Sequence, residues 1–410
     1  MRLVIAVEDR LFQVGSIFYS HNLSYESFWK RYLSVFDTVT VIARVIEGDS
    51  VPDGWGVVNK NNVEIAALPQ YHGPYQYVLK MRNIKSIISR ALRQDDAVIL
   101  RVPGNIGTQV WNLLEPGRPY GVEVIGNPWD VFAPSSIRSI IRPYARWLWT
   151  RNLKKQCKGA AAVAYVTRDT LQRCFPASPD AFTTYYSSIE LGAAELRKDL
   201  SERLTAISAI PARLAGEYPP VRLGFVGSFS QTHKLPDVHI KVLAQCVAKG
   251  ANVTLEMIGD GKMLTGMKKL AEQLGVAKRI VFRGILPAGK SIWEAMDKFD
   301  LFLNATASEG LPRVVIEAMS RGCPCIASSV GGTPELLEQS YLVPPGDVNS
   351  LAETILRVLA DPESMDKAVE RNLRIARDYC ADKLQPRRQA FYAALRERTE
   401  RYLAKKTLKF

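Results

Sequence analysis

The sequence predicts an α/β protein with two parallel sheets, each covered by helices on both faces. Short apolar runs of strand length alternate with longer segments of helical periodicity along most of the chain. This alternation is typical of parallel sheets with crossover helices. It is interrupted at residues 190–220, a charged stretch that ends in Pro211, Gly216, Pro219 and Pro220. The 410 residues suffice for two domains of ordinary size, so we predict a domain boundary there.

The composition indicates a globular protein with an anionic partner. Hydrophobic residues make up 47% of the chain and charged residues 23%. No run approaches the roughly 18 uncharged apolar residues of a membrane span, and the first residues, MRLVIAVEDRLF, are too short and too soon acidic for a secretory signal. Six cysteines without a C-x2-C pair argue against a zinc site or a disulfide framework. We therefore expect a cytoplasmic protein, with peripheral membrane association as an option. The net charge of +13 suggests nucleic acid, a phosphate-bearing substrate or an acidic membrane surface as the partner.

The first half opens with a compact apolar strand at residues 2–7, followed by a loop that contains Gly15 and Ser16. Period-2 and buried-strand patterns then predict strands, and 3.6-residue periodicity predicts helices. The predicted strands are residues 38–42, 63–67, 97–100, 122–125, 161–166 and 182–186, and the predicted helices are residues 27–35, 77–92 and about 108–114.

Two features of this half are candidates for function. Asn127 and Asp130 follow the strand at 122–125, and ligands in open α/β sheets bind beyond the carboxyl ends of strands; a simple Asn-Pro turn is the alternative. Residues 131–168 contain no Asp or Glu and interleave aromatic side chains with basic ones, among them Arg138, Arg142 and Arg146. Such a segment suits an anionic membrane or a solvated helix face with its aromatics in the core, and the sequence leaves both open; RNA-type contacts are less favoured. Pro143 predicts a kink within it.

The second half repeats the alternation and adds polar loops after its strands. Its first strand, residues 221–226, ends at Gly227 and is followed by a loop that contains Lys234. Further predicted strands are residues 253–258 and 279–282, and predicted helices are residues 238–249, 291–298 and 349–359. Helices with a basic end are predicted beyond residue 363, with Lys405, Lys406 and Lys409 in a frayed tail.

Residues 300–338, DLFLNATASEGLPRVVIEAMSRGCPCIASSVGGTPELLE, carry the chemistry. A short strand leads through a small polar loop into a helix at 314–321, whose left-handed C′ residue is Gly322. Glu309 lies at the helix mouth and Glu317 lies in the apolar run VVIEAM, where a charge is costly without a partner. Free N–H groups at such a mouth could hold a diphosphate while a carboxylate accepts hydrogen bonds from sugar hydroxyls.

An ordinary structural role for Glu317 stays open from the residues alone. Arg313 and Arg321 lie four residues to either side of it, at the spacing of helical ion pairs.

The whole string resembles the C-terminal signature of glycosyltransferase family 4. It contains E-G-x-P, an E-x7-E spacing, E-A-M, a G-x-P turn and G-G-x-P-E. The resemblance implies the GT-B architecture, in which two Rossmann-like domains face each other across a cleft and the last helix crosses back to the first domain. On this view residues 1–200 form the acceptor-side domain, residues 201–380 bind the nucleotide sugar, and residues 381–410 form the returning helix and a basic tail.

The resemblance also implies roles for individual residues. Glu309 would be the catalytic residue that faces the donor sugar, Glu317 would bind the ribose hydroxyls, and Lys234 would contact the donor diphosphate. Ser228 replaces an arginine of the family pattern, and the chain lacks the histidine that many members carry near residues 121–134. The further donor-side positions are Gly227, Ser228, Arg283, Gly310 and Leu311, and the acceptor-side positions are Gly15, Asn127 and Asp130.

The implied function is a retaining hexosyltransferase that uses a nucleotide-diphosphate sugar. We expect no metal, because the chain contains no D-x-D pair of hard oxygen ligands. The basic first half, together with the family's habits, suggests a lipid-linked or polysaccharide acceptor in bacterial exopolysaccharide, capsule or lipopolysaccharide synthesis. A sugar-nucleotide epimerase on the same fold and an inactive sugar-binding homologue are the alternatives. A nucleic-acid-binding protein is least favoured, because no recognised motif surrounds the charge.

Overall fold

The computed structural model describes residues 1–52, 54–132, 141–217 and 219–408. Within them the chain divides into two compact units. The first unit comprises residues 1–126, 147–186 and 385–410, and the second comprises residues 127–146 and 187–384.

Two sheets, one in each unit, contain the strands of the described residues. The strands of the first unit are β1 (Arg2–Val14), β2 (Ile17–Ser20), β3 (Thr38–Glu47), β4 (Gly56–Val57), β5 (Val63–Pro69), β6 (Ala97–Val102), β7 (Gly121–Val124), β8 (Ala162–Tyr165) and β9 (Phe182–Tyr185). Those of the second are β10 (Val221–Val226), β11 (Val253–Ile258), β12 (Ile280–Gly284), β13 (Leu301–Asn304), β14 (Cys325–Ser328) and β15 (Leu342–Val343). The predicted α/β class with two parallel sheets is confirmed.

Helices lie between most of these strands along the chain, as crossover connections require, and the last three helices follow β15. They are α1 (Gly73–Ala91), α2 (Asn105–Leu113), α3 (Pro128–Val131), α4 (Arg142–Gly159), α5 (Thr170–Cys174), α6 (Ser201–Ser208), α7 (Ile210–Leu214), α8 (Pro236–Ala248), α9 (Leu264–Gln273), α10 (Lys290–Met296), α11 (Arg313–Ser320), α12 (Val348–Leu359), α13 (Pro362–Arg377) and α14 (Ala381–Thr407).

In the first unit, seven parallel strands run in the order β5-β3-β1-β6-β7-β8-β9. One face of this sheet packs against α1, α2, α4 and α5 in a single apolar core, to which Ile84, Val110 and Leu153 contribute. Phe391 and Leu395 of α14 pack on β7 so closely that a Cβ on Gly121 would lie 3.0 Å from each of them. Helices from the first half of the chain and the final helix α14 therefore cover this sheet with apolar side chains.

Several expectations for the first unit need correction. The first strand does not end at Val7: after a bulge following Ala6 it continues to Val14, turns at Gly15 and Ser16, and pairs with antiparallel β2. The helix expected at residues 27–35 is a 3₁₀ helix over Trp29–Ser34. The expected tail is helical as far as Thr407, where Lys406 Nζ donates to Glu115 Oε2 at 2.8 Å; Lys409 lies outside the described residues.

In the second unit, six parallel strands run in the order β12-β11-β10-β13-β14-β15. The chain passes from β10 outward to β11 and β12, and then crosses back to place β13 on the other side of β10. A doubly wound sheet of this kind has its topological switch point between β10 and β13. Ligands bind beyond the carboxyl ends of the strands at such a point.

The helix at the centre of the sequence signature ends as predicted. Gly322 has φ +65°, Gly322 N–H donates to Met319 O at 2.9 Å, and Cys323 N–H donates to Ala318 O at 3.0 Å. This is a Schellman termination, and the left-handed residue in it favours glycine. Among all the helices that the structure describes, none combines the length and the apolar character needed to cross a membrane.

Candidate active site

The candidate site lies at the switch point of the second unit. The loop that contains Lys234 follows β10, the loop that contains Glu309 follows β13, and the loop that contains Gly331 follows β14. Because β10, β13 and β14 are neighbouring parallel strands, all three loops leave the same edge of the sheet. The sequence signature and the preceding lysine loop are therefore adjacent in space although about 75 residues separate them along the chain.

Lys234 and Glu309 are in direct contact in this crevice. Lys234 Nζ donates to Glu309 Oε1 at 2.5 Å, and the two side chains are only 19% and 11% exposed. The loops are also joined through the backbone, since Ala307 N–H donates to His233 O at 2.7 Å. A largely shielded cation and carboxylate stabilise each other here, and both charges are available to a ligand that separates them.

His239, on the second turn of α8, fixes the geometry of the lysine loop. Its Nδ1 lies 3.1 Å from Leu235 O, and its Nε2 lies 3.3 Å from Ala305 N. Since Ala305 N–H must donate, Nε2 accepts, and Nδ1 then carries the proton that it donates to Leu235 O. Burial lowers the pKa of His239 to about 4, so the ring is neutral near pH 7. Leu235 itself has φ +45°, and this hydrogen bond holds the strained residue next to Lys234.

The glycine pair of the G-G-x-P-E turn lets the β14 loop close on the backbone of Glu309. Gly331 has φ +53°, and a Cβ at this position would lie 2.0 Å from Glu309 O. Gly332 N–H donates to Gly310 O at 2.7 Å. Glu309 is therefore held from two sides, by Lys234 and by the Gly331–Gly332 turn.

The mouth of α11 offers donors beside this pair. Among the described residues the N–H groups of Gly310 and Leu311 donate no hydrogen bond. Helix α11 begins at Arg313, two residues later. Free N–H groups and the positive end of a helix together favour an anion.

Glu317 is half-buried on α11 and keeps a free carboxylate. Burial raises the pKa of Glu317, and the charge of Arg313 opposes that effect. In the described part of the chain no group lies within hydrogen-bond or ion-pair distance of this carboxylate. Neither helical ion pair considered from the sequence forms in the described residues: Arg321 binds Asp297, with Nη2 2.7 Å from Oδ2, and Arg313 is exposed. An unpartnered, partly desolvated carboxylate suits a ligand that donates hydrogen bonds.

Three other donor-side positions lie at the same edge of the sheet without joining the pair. Gly227 N–H donates to Ile258 O, and Ser228 Oγ accepts from Ser230 N–H at 3.1 Å, so both shape the turn after β10. Arg283 lies on the edge strand β12, where its Nε is 2.8 Å from Glu256 Oε1. Three strand spacings, about 14 Å, separate β12 from β13. A donor role for Arg283 remains a prediction that requires its pair with Glu256 to open.

The acceptor-side positions have local structural roles. Gly15 adopts φ +59° in the turn between β1 and β2. Asn127 caps α3 by accepting from Trp129 N–H at 3.0 Å, and its Nδ2 donates to Asp130 Oδ2 at 3.1 Å. Burial raises the pKa of Asp130. Their acceptor roles remain predictions.

The basic segment is only partly described, because residues 133–140, and with them Arg138, lie outside the described residues. Pro143 lies in the first turn of α4, where its missing N–H is not needed, so the expected kink is not formed there. The Arg146 guanidinium carbon lies 3.5 Å from the ring centre of Trp129, and Tyr144 and Trp147 are exposed. Aromatic and basic groups thus share the surface, while Leu153 and Cys157 enter the core.

Sequence reasoning missed His239 and the backbone of residues 305–307. His239 lies on the buried side of α8 with Val242, Leu243 and Cys246, and its ring lies 4.3 Å from that of Phe225. A histidine at helical spacing among apolar residues was the one signal for it. The contacts of the backbone at residues 305–307 do not depend on side-chain type, so the sequence gives no signal for them.

The chain is similar to known proteins in sequence and in fold. Residues 220–361 match the family model described as glycosyl transferases group 1. The protein CapJ of Staphylococcus aureus is 25% identical over 388 residues, which are 93% of this chain and 90% of that protein.

Two solved structures have the same fold. The structure of Anabaena HepE in complex with UDP and glucose matches with a TM-score of 0.58 at 15% identity, over 98% of this chain and 99% of that one. The structure of WaaG, a glycosyltransferase involved in lipopolysaccharide biosynthesis, matches with a TM-score of 0.61 at 16% identity, over 96% and 99%. The chain has the GT-B fold, and the family match supports a glycosyltransferase rather than an epimerase.

The glycine turn makes a matched prediction. Gly331→Ala and Gly275→Ala both place alanine at positive φ, but a Cβ at Gly275 meets nothing within 4 Å. We expect Gly275→Ala to lower the free energy of unfolding by about 1 kcal/mol. Gly331→Ala should cost at least about 2 kcal/mol more and displace Glu309, because its Cβ meets carbonyl oxygen. Urea denaturation of both variants measures this, and equal losses would contradict the account.

A second prediction concerns pH. The pKa of His239 lies near 4 in the folded protein, against its ordinary value of 6.5. Below about pH 6.5 the unfolded chain takes up a proton that the folded chain does not, so stability falls with pH by about 1.4 kcal/mol per unit until pH 4. His239→Asn keeps a donor for Leu235 O but cannot titrate.

The two proteins are compared by urea denaturation near pH 7 and near pH 5. The stability advantage of the wild type over His239→Asn should shrink toward the lower pH. An advantage that is the same at both values would show that His239 is not held neutral.

Proposed function

We propose that this protein is a retaining hexosyltransferase that moves a sugar from a nucleotide-diphosphate donor to a lipid-linked or polysaccharide acceptor. The observation that carries the proposal is the contact between Lys234 and Glu309 beside the open N–H groups of Gly310 and Leu311. It combines cationic groups for a diphosphate with a carboxylate for a sugar at one switch point. UDP and glucose are bound in HepE, and WaaG takes part in lipopolysaccharide biosynthesis; both have this fold. Exopolysaccharide, capsule or lipopolysaccharide synthesis at the cytoplasmic face of a bacterial membrane is the proposed setting.

The proposed chemistry follows from these charges. The bond between the anomeric carbon and the diphosphate oxygen breaks, and the new bond forms from the acceptor oxygen on the same face, as retention requires. Lys234 and the N–H groups of Gly310 and Leu311 offset the negative charge that grows on the departing diphosphate. Glu309, released from Lys234, accepts hydrogen bonds from the donor sugar as its ring distorts. As it attacks, the acceptor hydroxyl gives its proton to the departing diphosphate oxygen, which lies on the same face of the sugar.

Glu317 is proposed to bind the nucleoside ribose. Its half-buried carboxylate accepts from two adjacent hydroxyl groups, which replace the water that burial removes. This assignment explains why a carboxylate stands unpaired on an otherwise apolar helix face. The two carboxylates then have different roles, because Glu309 contacts the donor sugar and Glu317 binds the nucleoside.

Metal independence is part of the proposal. Lys234, the helix mouth and, once freed from Glu256, Arg283 supply positive charge where metal-dependent transferases use a divalent ion. The absence of a D-x-D pair from the sequence supports this reading.

Removal of the Glu309 carboxylate and removal of the Glu317 carboxylate should change different kinetic constants. Glu309→Ala should lower kcat by about 100-fold with little change in KM, because its contact strengthens in the transition state. Glu317→Ala should raise the donor KM by about 10-fold with a smaller effect on kcat, because it binds ground state and transition state alike. Steady-state kinetics of sugar transfer, with the donor concentration varied, measure kcat and the donor KM of both variants. Glu294→Ala, an exposed helical acid paired with Lys290, is the matched control. Both site variants behaving like the control would refute the proposal.

Chelation tests the metal claim separately. Transfer should persist after dialysis against EDTA, because protein cations carry the leaving-group charge. Loss of activity with EDTA that magnesium restores would overturn metal independence and leave the roles of the two acids standing.

A further inference from the structure

Helix α1 of the first unit presents an apolar surface that no described residue of its own unit covers. Tyr75, Val78 and Leu79 are 75%, 62% and 66% exposed. Their spacing of three and four residues places them together over the first two turns of the helix. Tyr77, Met81, Ile84 and Ile88 form its other stripe, and Ile84 and Ile88 are fully buried in the core. The helix therefore has one stripe that packs on the sheet and a second, apolar stripe that does not.

The rest of the exposed face of α1 is basic. The helix carries Lys80, Arg82, Lys85 and Arg90 and no acidic residue. Arg82 and Lys85 are exposed and lie four and seven residues beyond Val78, so they continue the outward side of the helix. An apolar end followed by a basic stripe is complementary to an anionic bilayer, in which apolar side chains enter the interface and basic groups meet lipid phosphates.

The position of α1 places this surface near the edge of the sheet at which ligands bind. The helix begins directly after β5, so its exposed first turns lie at the carboxyl edge of the sheet, where ligands bind. Helix α4 lies on the same face of the sheet, and its Trp147 is 53% exposed with the Arg151 guanidinium carbon 5.4 Å from the ring centre. A second aromatic and basic group thus faces solvent on the side that α1 occupies.

We propose that the first turns of α1 dock on an anionic membrane surface, with Tyr75, Val78 and Leu79 in the interface and Arg82 and Lys85 on lipid headgroups. Docking in this way brings the ligand edge of the first unit to the bilayer, where a lipid-linked acceptor is presented. That consequence rests on the proposed function; the docking itself does not.

The test is co-sedimentation of the full chain with vesicles. Wild type should bind vesicles of phosphatidylcholine and phosphatidylglycerol in equal parts, and not vesicles of phosphatidylcholine alone. Val78→Ser/Leu79→Ser and Arg82→Gln/Lys85→Gln should each lower that binding by about tenfold. The matched control is Leu113→Ser/Leu408→Ser, two exposed leucines of the same unit that lie outside α1. It should bind like the wild type.

Several results would overturn the docking surface. Binding of both α1 variants at the wild-type level, or equal binding to neutral vesicles, would do so. The inference would also be wrong if light scattering showed that the wild type is a dimer and the Val78→Ser/Leu79→Ser variant a monomer. It would equally be wrong if the chain bound a single-stranded oligonucleotide through α1 and did not bind vesicles. Donor binding and sugar transfer to a soluble acceptor should be unchanged in all variants. A chain that docks through α1 but transfers no sugar would refute the proposed function and not this inference.

Discussion

The second unit depends on one constraint: a lysine and a glutamate from distant parts of the chain must meet over the carboxyl ends of two neighbouring strands. Lys234 and Glu309 satisfy each other at 2.5 Å in a largely shielded crevice. Breaking such a pair without a replacement costs several kcal/mol, roughly 3–5. A ligand that carries both negative charge and hydroxyl groups can replace each partner of the pair. The contact thus keeps two charges desolvated, oriented and ready in the absence of a ligand.

The surrounding structure holds this contact through the backbone rather than through further side-chain charges. His239 joins Leu235 and Ala305, Ala307 joins His233, and the turn at Gly331 closes on Glu309. Each of these contacts is buried or backbone-mediated, so each fixes position without competing for the ligand. A neutral histidine suits this task because it donates at one nitrogen and accepts at the other. The result is an arrangement in which the sheet topology and the backbone set the positions of the two charges.

The sequence predicted much of the fold because apolar periodicity reports burial directly. Strands β6, β10 and β13 and the end of α11 at Gly322 lie where their patterns place them. Local patterns failed where pairing between distant segments decides the structure. The extension of β1 to Val14 depends on a bulge and on pairing with β3, which lies far along the chain, as well as with the adjacent β2.

The site was predictable only in part, for related reasons. Motif spacing identified Glu309, Glu317 and Lys234 as site residues, but it did not predict which of them are in contact. The contact of Lys234 with Glu309 depends on which strands become neighbours, and the pairing of Arg321 with Asp297 could not be read from helical spacing. His239 is a core residue that the sequence analysis did not single out, because its importance comes from two backbone groups that it joins.

The central claim is that the charges of Lys234 and Glu309 are parted by a nucleotide-diphosphate sugar. The most direct measurement is a crystal structure of the protein with a donor chosen by thermal-shift screening of UDP-, GDP- and ADP-sugars. The account predicts that diphosphate oxygens replace Glu309 on Lys234 Nζ and reach the N–H groups of Gly310 and Leu311, with the sugar on Glu309. A donor bound elsewhere, with Lys234 still on Glu309, would contradict it.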